Sequence, residues 1–139
     1  MFPQPKVLLV TEDGSETEDF QEFLRNHTAL TCAQGLREVR TRLRQAKYDA
    51  VLCGRRGGSE TWREVIEAAE QESPGVPSIV LSREANGAEW REALGAGAFD
   101  LITLPIPAHT LLGILLQAVA SQQARTRWMQ AEAAEEVSV

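Results

Sequence analysis

The stretch of this sequence best placed for chemistry is the glycine- and arginine-rich segment that follows the apolar run 50–53. It consists of Gly54, Arg55, Arg56, Gly57 and Gly58. The apolar run predicts a buried strand, and Ser59 predicts the amino terminus of the next helix. Exposed amides at a helix amino terminus, together with two arginines, could bind a small anion or a nucleotide. The alternative is a turn with two solvated arginines, because the segment lacks the spacing of a phosphate-binding loop.

The other reactive residue types do not form a catalytic or metal-binding pattern. His27 falls at the end of a predicted helix and His109 in a first helical turn, neither beside an evident acid, base or nucleophile. Cys32 and Cys53 fall in apolar strand-like runs without metal-site spacing, and we interpret them as buried thiols. Strand alternation also points Cys53 away from the side that Gly54 faces. We therefore expect a protein that is not an enzyme and has no metal site.

Strands and helices alternate along the whole chain. Strands are predicted at 6–10, 28–33, 50–53, 78–81 and 101–104. Helices are predicted from 15 to about 26, 35 to 46, 59 to 72, 88 to 94, and from 107 or 108 onward. Short loops between such elements indicate βαβ crossovers and a parallel sheet with helices on both faces. In sheets of this kind, ligands bind at the carboxyl ends of the central strands, where segment 54–58 begins.

Composition and charge limit the class of protein to which the chain can belong. With 139 residues, 43% of them hydrophobic, the chain suffices for one domain with a substantial core. The net charge of −6 argues against direct nucleic-acid binding, because phosphate backbones favour clustered Lys and Arg. The amino terminus has no apolar core of signal-peptide length, and the most apolar run, 111–116, is too short to span a membrane. We expect a cytoplasmic protein without membrane contacts.

Two segments stand out from this average. The outer face of the helix predicted at 35–46 carries basic residues three or four positions apart, namely Arg37, Arg40, Arg44 and Lys47. Such a stripe is typical of a solvated helix face, and a docking site for an acidic partner is the alternative.

The last helix continues beyond the length that one α/β layer needs, so we assign a domain to 5–120 and a helical extension or linker to 121–139. The overhang would be a dimerising helix, a connection to another domain, or a frayed tail.

Over about residues 5–120 the chain resembles the receiver domain of bacterial two-component response regulators. The resemblance is carried by Val-Leu-Leu-Val-Thr-Glu-Asp13, Tyr-Asp-Ala-Val-Leu-Cys-Gly54, Ile-Val-Leu-Ser82, and Ala-Leu-Gly-Ala-Gly-Ala-Phe-Asp100 followed by Leu-Ile-Thr-Leu-Pro105. It implies a flavodoxin-like (βα)5 α/β fold. The five-stranded parallel sheet of that fold has strand order 2-1-3-4-5, and here the last helix is extended.

The resemblance also implies a phosphorylation pocket that has lost most of its parts. Receivers accept a phosphoryl group on an aspartate at the end of the third strand, beside Mg²⁺-binding acids, a Ser or Thr and a lysine. Gly54 takes the place of the aspartate and Leu104 that of the lysine, whereas Ser82 is retained. Pro105 matches as well, and the resemblance suggests a cis peptide bond before it.

The acidic pair of the family aligns with Thr11 and Glu12, followed by Asp13. One carboxylate is therefore lost. Mg²⁺ usually needs two or more anionic groups, phosphate included. Without a phosphate at Gly54, Glu12 and Asp13 would bind Mg²⁺ weakly at best, and we expect no cofactor. Their alternative role is to place negative charge ahead of a helix amino terminus.

We therefore interpret the chain as an atypical receiver domain in two-component (phosphorelay) signalling that acts as a phosphorylation-independent interaction or dimerisation module. The alternative function is sensing of a small anion or nucleotide at 54–58. The expected partner is a protein, either a kinase or output domain or a second copy in a homodimer. In the family the fourth helix, fifth strand and fifth helix form a common contact face, which here would include Trp90, Leu101, Leu111 and Leu115. Leu101 stands where receivers carry an aromatic switch residue, and Trp90 could instead belong to the core.

Overall fold

The computed structural model describes residues 4–11, 18–55, 61–83 and 87–137. Five strands and five helices alternate along the chain. The strands are β1 (Lys6–Thr11), β2 (Ala29–Gln34), β3 (Ala50–Arg55), β4 (Ser78–Ser82) and β5 (Asp100–Thr103). The helices are α1 (Glu18–His27), α2 (Gly35–Gln45), α3 (Thr61–Glu72), α4 (Gly87–Gly95) and α5 (Ala108–Val137).

All strand pairs are parallel, and the sheet order is β2-β1-β3-β4-β5. The predicted fold class, strand order and extended last helix are confirmed. The three inner strands are apolar on both faces, as expected for a sheet covered by helices on each side. At the amino end of the β1–β3 ladder, the Asp49 N–H donates to the Lys6 carbonyl at 2.7 Å. The Lys6 N–H in turn donates to Asp49 Oδ2 at 2.8 Å, so that this pair fixes where the ladder begins.

Strand alternation divides the core into two layers. On one face of the sheet, Val51 and Cys53 pack with Val39 of α2 and Val65 of α3. On the other face, Leu9, Leu52 and Leu81 pack with Leu24 of α1 and Leu115 of α5. Cys53 and Leu52 therefore point to opposite faces, and the prediction that Cys53 turns away from the side of Gly54 is consistent with this layering. Both cysteines are free thiols, with Cys53 buried and Cys32 half-buried.

Three residues expected on the contact face belong to the core instead. Leu101 is 8% exposed, and Leu111 and Leu115 are fully buried. The reason is that Leu101 faces the layer under α3, whereas Leu111 and Leu115 form the side of α5 that covers the sheet. Trp90 is 47% exposed, which excludes the alternative that it belongs to the core.

β3 also extends further than the sequence indicated. Gly54 pairs with Leu81 and Arg55 with Ser82, so the first two residues of the expected loop belong to the strand. Backbone pairing with β4 explains the difference, because a ladder continues as long as the neighbouring strand does, whatever the side chains prefer.

α5 contains 30 residues and is therefore about 45 Å long. A strand of five or six residues spans only about 17–20 Å. The helix consequently continues well past the amino-terminal edge of the sheet. Among the helices in the part of the chain that the structure describes, none combines the length and apolar character needed to cross a membrane.

The turn between α3 and β4 is fitted against α5, which gives a stability prediction. Gly75 has φ +86°, and a Cβ there would lie 2.6 Å from Gln122 Nε2. Gly35 has φ +80° but nothing within 4 Å of its Cβ position. We expect Gly35→Ala to cost about 1–3 kcal/mol through backbone strain alone, and Gly75→Ala to cost more.

The excess at Gly75 should shrink in a Gln122→Ala background, as measured by urea unfolding. Gly113→Ala serves as the control, because it lies inside α5 with no atom within 4 Å of its Cβ position. It should stabilise the protein by about 0.5–1 kcal/mol. Equal costs at Gly35 and Gly75 would contradict the prediction and show that the end of the Gln122 side chain moves aside freely.

Candidate functional site

The carboxyl ends of four neighbouring strands meet at one edge of the sheet. Thr11, the last residue of β1, and Gly54, one residue before the end of β3, each follow the pair Val10–Cys53 and therefore lie at the same level. Ser82 ends β4, and its carbonyl accepts a hydrogen bond of 2.8 Å from the N–H of Leu104. The fold thus brings together Thr11, Gly54, Ser82 and Leu104. Glu12 and Asp13 lie outside the described residues.

This edge offers hydroxyl groups rather than carboxylates. Thr11 is 7% exposed and Ser82 3%, so both are buried polar residues. Gly54 contributes only its backbone, since it has no side chain to attack phosphorus. None of the described strands ends in an acid at this edge. The arrangement can donate and accept hydrogen bonds, but among the described residues it offers no carboxylate to accept a phosphoryl group.

Leu104 packs as a core residue. Its side chain is 6% exposed and belongs to the apolar layer that also contains Leu52, Leu81 and Leu111. The position that the resemblance equates with a lysine therefore holds no fixed positive charge. The peptide bond between Leu104 and Pro105 is cis, as the resemblance suggested.

The structure leaves the anion-binding hypothesis untested. Gly54 is half-buried within β3, and the backbone of Arg55 completes the ladder with β4. Arg56, Gly57 and Gly58 lie outside the described residues. Across the described ranges, His, Cys, Asp and Glu do not assemble into a group of three that could hold a metal ion.

Concave surfaces occur at the opposite edge, where α5 overhangs the sheet. An open cavity of about 590 Å³ lies between the α2–β3 and α3–β4 connections and α5, lined in part by Lys47, Asp49 and Gln123. A smaller one of about 130 Å³ is lined in part by Phe99 and Ser121. Sequence reasoning missed both, although the overrun of the last helix was the signal that could have predicted them.

Exposed apolar side chains mark the face formed by α4, β5 and α5. Glu92 of α4 is joined to Arg63 of α3 at 2.9 Å, so that side of α4 faces α3. Trp90, two positions earlier, lies about 200° around the helix and therefore faces away from α3. Phe99 precedes β5 and is 39% exposed. Sequence reasoning missed it, because it named Phe99 only within the segment 93–100 that carries the family resemblance.

α5 contributes Ile114 to this face. Ile114 is half-buried, and it lies on the same side of the helix as Ser121 and Arg125, which line the smaller cavity together with Phe99. Leu116 is 45% exposed but lies on the side of Gln123, which lines the other cavity. The face expected to make contacts therefore carries Trp90, Phe99 and Ile114, and Leu116 lies outside it.

The comparisons with known proteins agree in fold. No protein-family model matches the chain, and no curated protein matches its sequence. The adenylate cyclase from Rhodopirellula baltica gives a TM-score of 0.80 at 17% identity, covering 92% of this chain and 96% of that one. A CheY-like response regulator receiver domain protein from Methanospirillum hungatei JF-1 gives 0.76 at 19% identity, covering 88% and 98%. The beryllofluoride-activated NtrC4 receiver domain dimer gives 0.74 at 18% identity, covering 84% and 98%. The chain therefore has the fold of CheY-like receiver domains.

The buried position of Leu104 gives a prediction for this edge. Leu104→Lys should destabilise the protein by about 2–4 kcal/mol, because it removes a core leucine and places an amine against an apolar layer. Leu116→Lys is the control, since an exposed substitution should change stability by about 0.5 kcal/mol or less.

Adding Gly54→Asp to Leu104→Lys should recover part of the loss. Coupled neighbours typically show interaction energies of about 0.5–3 kcal/mol. Urea unfolding of the single and double variants measures this coupling. A Leu104→Lys variant as stable as the Leu116→Lys control would show that Leu104 is not a core residue.

Proposed function

We propose that this chain is an atypical receiver domain of two-component signalling that acts through protein contacts and without phosphorylation. The observation that carries the proposal is the pair of substitutions at the sheet edge, where Gly54 provides no acceptor and Leu104 is buried in the core. The fold is retained while the phosphoryl acceptor and the lysine of the family are replaced. A module of this kind is useful for its surfaces, since fold alone does not imply an activity.

The physical chemistry of phosphoryl transfer supports this reading. A carboxylate nucleophile, a cation bridging oxygens and a fixed positive charge are each needed to hold the charge that develops. Thr11 and Gly54 replace two of the family's carboxylates, and Leu104 replaces the charge. Losing any one of these would slow the reaction, and losing three removes the reason to expect it. The chain is accordingly proposed not to be an enzyme and to need no cofactor.

The contact face supports the interaction role. Trp90 and Phe99 are large aromatic side chains that remain 47% and 39% exposed. Buried aromatic residues contribute strongly to the binding energy of protein interfaces. The proposed occupant is a second copy or a cytoplasmic kinase or output domain, and a receiver domain of the same fold is known as a dimer.

The absence of phosphorylation can be tested directly. Incubation with acetyl phosphate or beryllofluoride and Mg²⁺ should give no adduct by intact mass and no amide shifts at Thr11, Gly54 or Ser82. The double variant Gly54→Asp/Leu104→Lys should also react weakly or not at all, because Thr11 leaves the cation site one carboxylate short. Adding Thr11→Asp supplies the control in which reaction is expected. A specific adduct on the unmodified chain would overturn the proposal.

The contact face can be tested by truncating its aromatic residues. Trp90→Ala and Phe99→Ala should each weaken self-association at least about tenfold, in line with interface residues that contribute more than about 1.4 kcal/mol. Leu116→Ala is the matched control, since Leu116 is exposed on the other side of α5. Sedimentation velocity over a concentration series measures the effect. An equal loss in this control would contradict the assignment of the face.

A further inference from the structure

Helices α2 and α3 lie side by side on the same face of the sheet and are joined by ion pairs. Arg44 Nη2 lies 2.9 Å from Glu72 Oε1, and Arg40 Nη1 lies 3.6 Å from the same oxygen. Arg40 also donates to Gln71 Oε1 at 3.0 Å. The hydrogen bond from Arg44 lowers the pKa of Glu72 below its ordinary value, as expected for two opposite charges in direct contact. These contacts fix the position of α2 along its axis relative to α3.

The two helices carry opposite charge in equal measure. α2 has four arginines and one glutamate, whereas α3 has four glutamates and one arginine. Arg37 of α2 and Glu64 and Glu67 of α3 are exposed, and no hydrogen bond or ion pair joins the charged group of any of them to another described residue. The outer surface of the pair is therefore basic along one helix and acidic along the next.

We propose that this α2–α3 surface binds the same surface of a second copy of the chain. A two-fold axis through the surface places α2 of one copy on α3 of the other, and the reverse contact follows by symmetry. Positive charge then meets negative charge in both halves of the interface. The axis runs along the helices, so each α2 lies parallel to α3 of the partner subunit, and the opposite charges rather than the helix dipoles favour the contact.

The symmetry axis and the contact between Arg44 and Glu72 set the register. Arg37 lies seven residues before Arg44, about 10.5 Å along α2, and Glu67 lies five residues before Glu72, about 7.5 Å along α3. Because a two-fold axis along the helices allows no shift between the copies, Arg37 and Glu67 of the partner subunit differ by only about 3 Å in level, which these two long side chains can span. Helices of 11 and 12 residues are about 16–18 Å long, so this register gives almost complete overlap.

The contact is expected to be weak and sensitive to salt. Exposed ion pairs contribute modestly, and each copy carries a net charge of −6 that repels the other at long range. At physiological ionic strength, charges more than about 8 Å apart are largely screened, whereas touching pairs are screened less. The association is thus distinct from one through Trp90 and Phe99, which depends on apolar burial.

The test uses charge reversal in the full chain carrying Trp90→Ala and Phe99→Ala, which removes the apolar contact face. In 0.15 M salt, the parent of this series should self-associate, and Arg37→Glu or Glu67→Arg should each weaken the dimer at least about tenfold. An equimolar mixture of the two variants should recover the dimer. In the mixed dimer, the two substituted side chains carry opposite charges and face each other in one half of the interface. The unchanged Arg37 and Glu67 face each other in the other half. Sedimentation velocity measures the dimer, and circular dichroism checks the fold of each variant.

Arg42→Glu and Glu22→Arg are the controls. Arg42 is exposed on α2 but lies 3.8 Å from Glu38 on the side away from α3, and Glu22 is exposed on α1 across the sheet. Both should leave the dimer unchanged, and 1 M salt should weaken it about as much as one reversal does. A parent that stays monomeric, or a mixture that does not recover the dimer, would overturn the inference while leaving the proposed function intact. Loss in the controls would overturn it equally.

Discussion

The reciprocal contact between Lys6 and Asp49 is the constraint on which the candidate site depends. Asp49 donates its N–H to the carbonyl of Lys6, and its carboxylate accepts the N–H of Lys6. The parallel ladder then proceeds from Val7–Ala50 to Val10–Cys53 without a break. A shift of one residue would turn every side chain of β3 to the other face of the sheet and expose its apolar set to the wrong layer. The register set at the amino end therefore decides that Thr11 and Gly54 meet at the carboxyl end.

A sheet held in this way keeps its shape whichever residues occupy the carboxyl ends of its strands. The cores on both faces are built from residues further back in the strands, so replacing polar groups at the edge costs the core little. Leu104 even extends the apolar layer to the end of β5. A lysine and several carboxylates close together would instead have to balance their desolvation with one another. The fold can therefore lose the chemistry and retain, or improve, its packing.

Much of the fold follows from apolar patterning, and the errors have physical causes. Residues 7–10 are apolar on both sides, which correctly indicated a central covered strand. The length of β3 could not be derived in the same way, because Gly54 is in a strand only through the backbone of β4. Trp90 was equally undetermined, since the contact between Arg63 and Glu92 orients α4 and joins residues far apart in the sequence. The candidate site was predictable in part, because a missing side chain at Gly54 is visible in the sequence, whereas the burial of Leu104 required the structure.

The two proposed contact surfaces lie on different parts of the molecule and obey different physics. The face of Trp90 and Phe99 lies at the β5 edge, and α2 and α3 cover one face of the sheet nearer the other edge. If each surface pairs with its own kind, one copy can bind two neighbours at once. Two isologous contacts on one protomer generate either a closed tetramer or an open chain of copies, depending on the angle between their axes. High salt would then break the contacts between charged surfaces first and leave dimers that are joined by apolar contacts. The assembly of a module without a phosphorylation switch would in this way depend on protein concentration and ionic strength, because these two conditions control how strongly its surfaces bind each other.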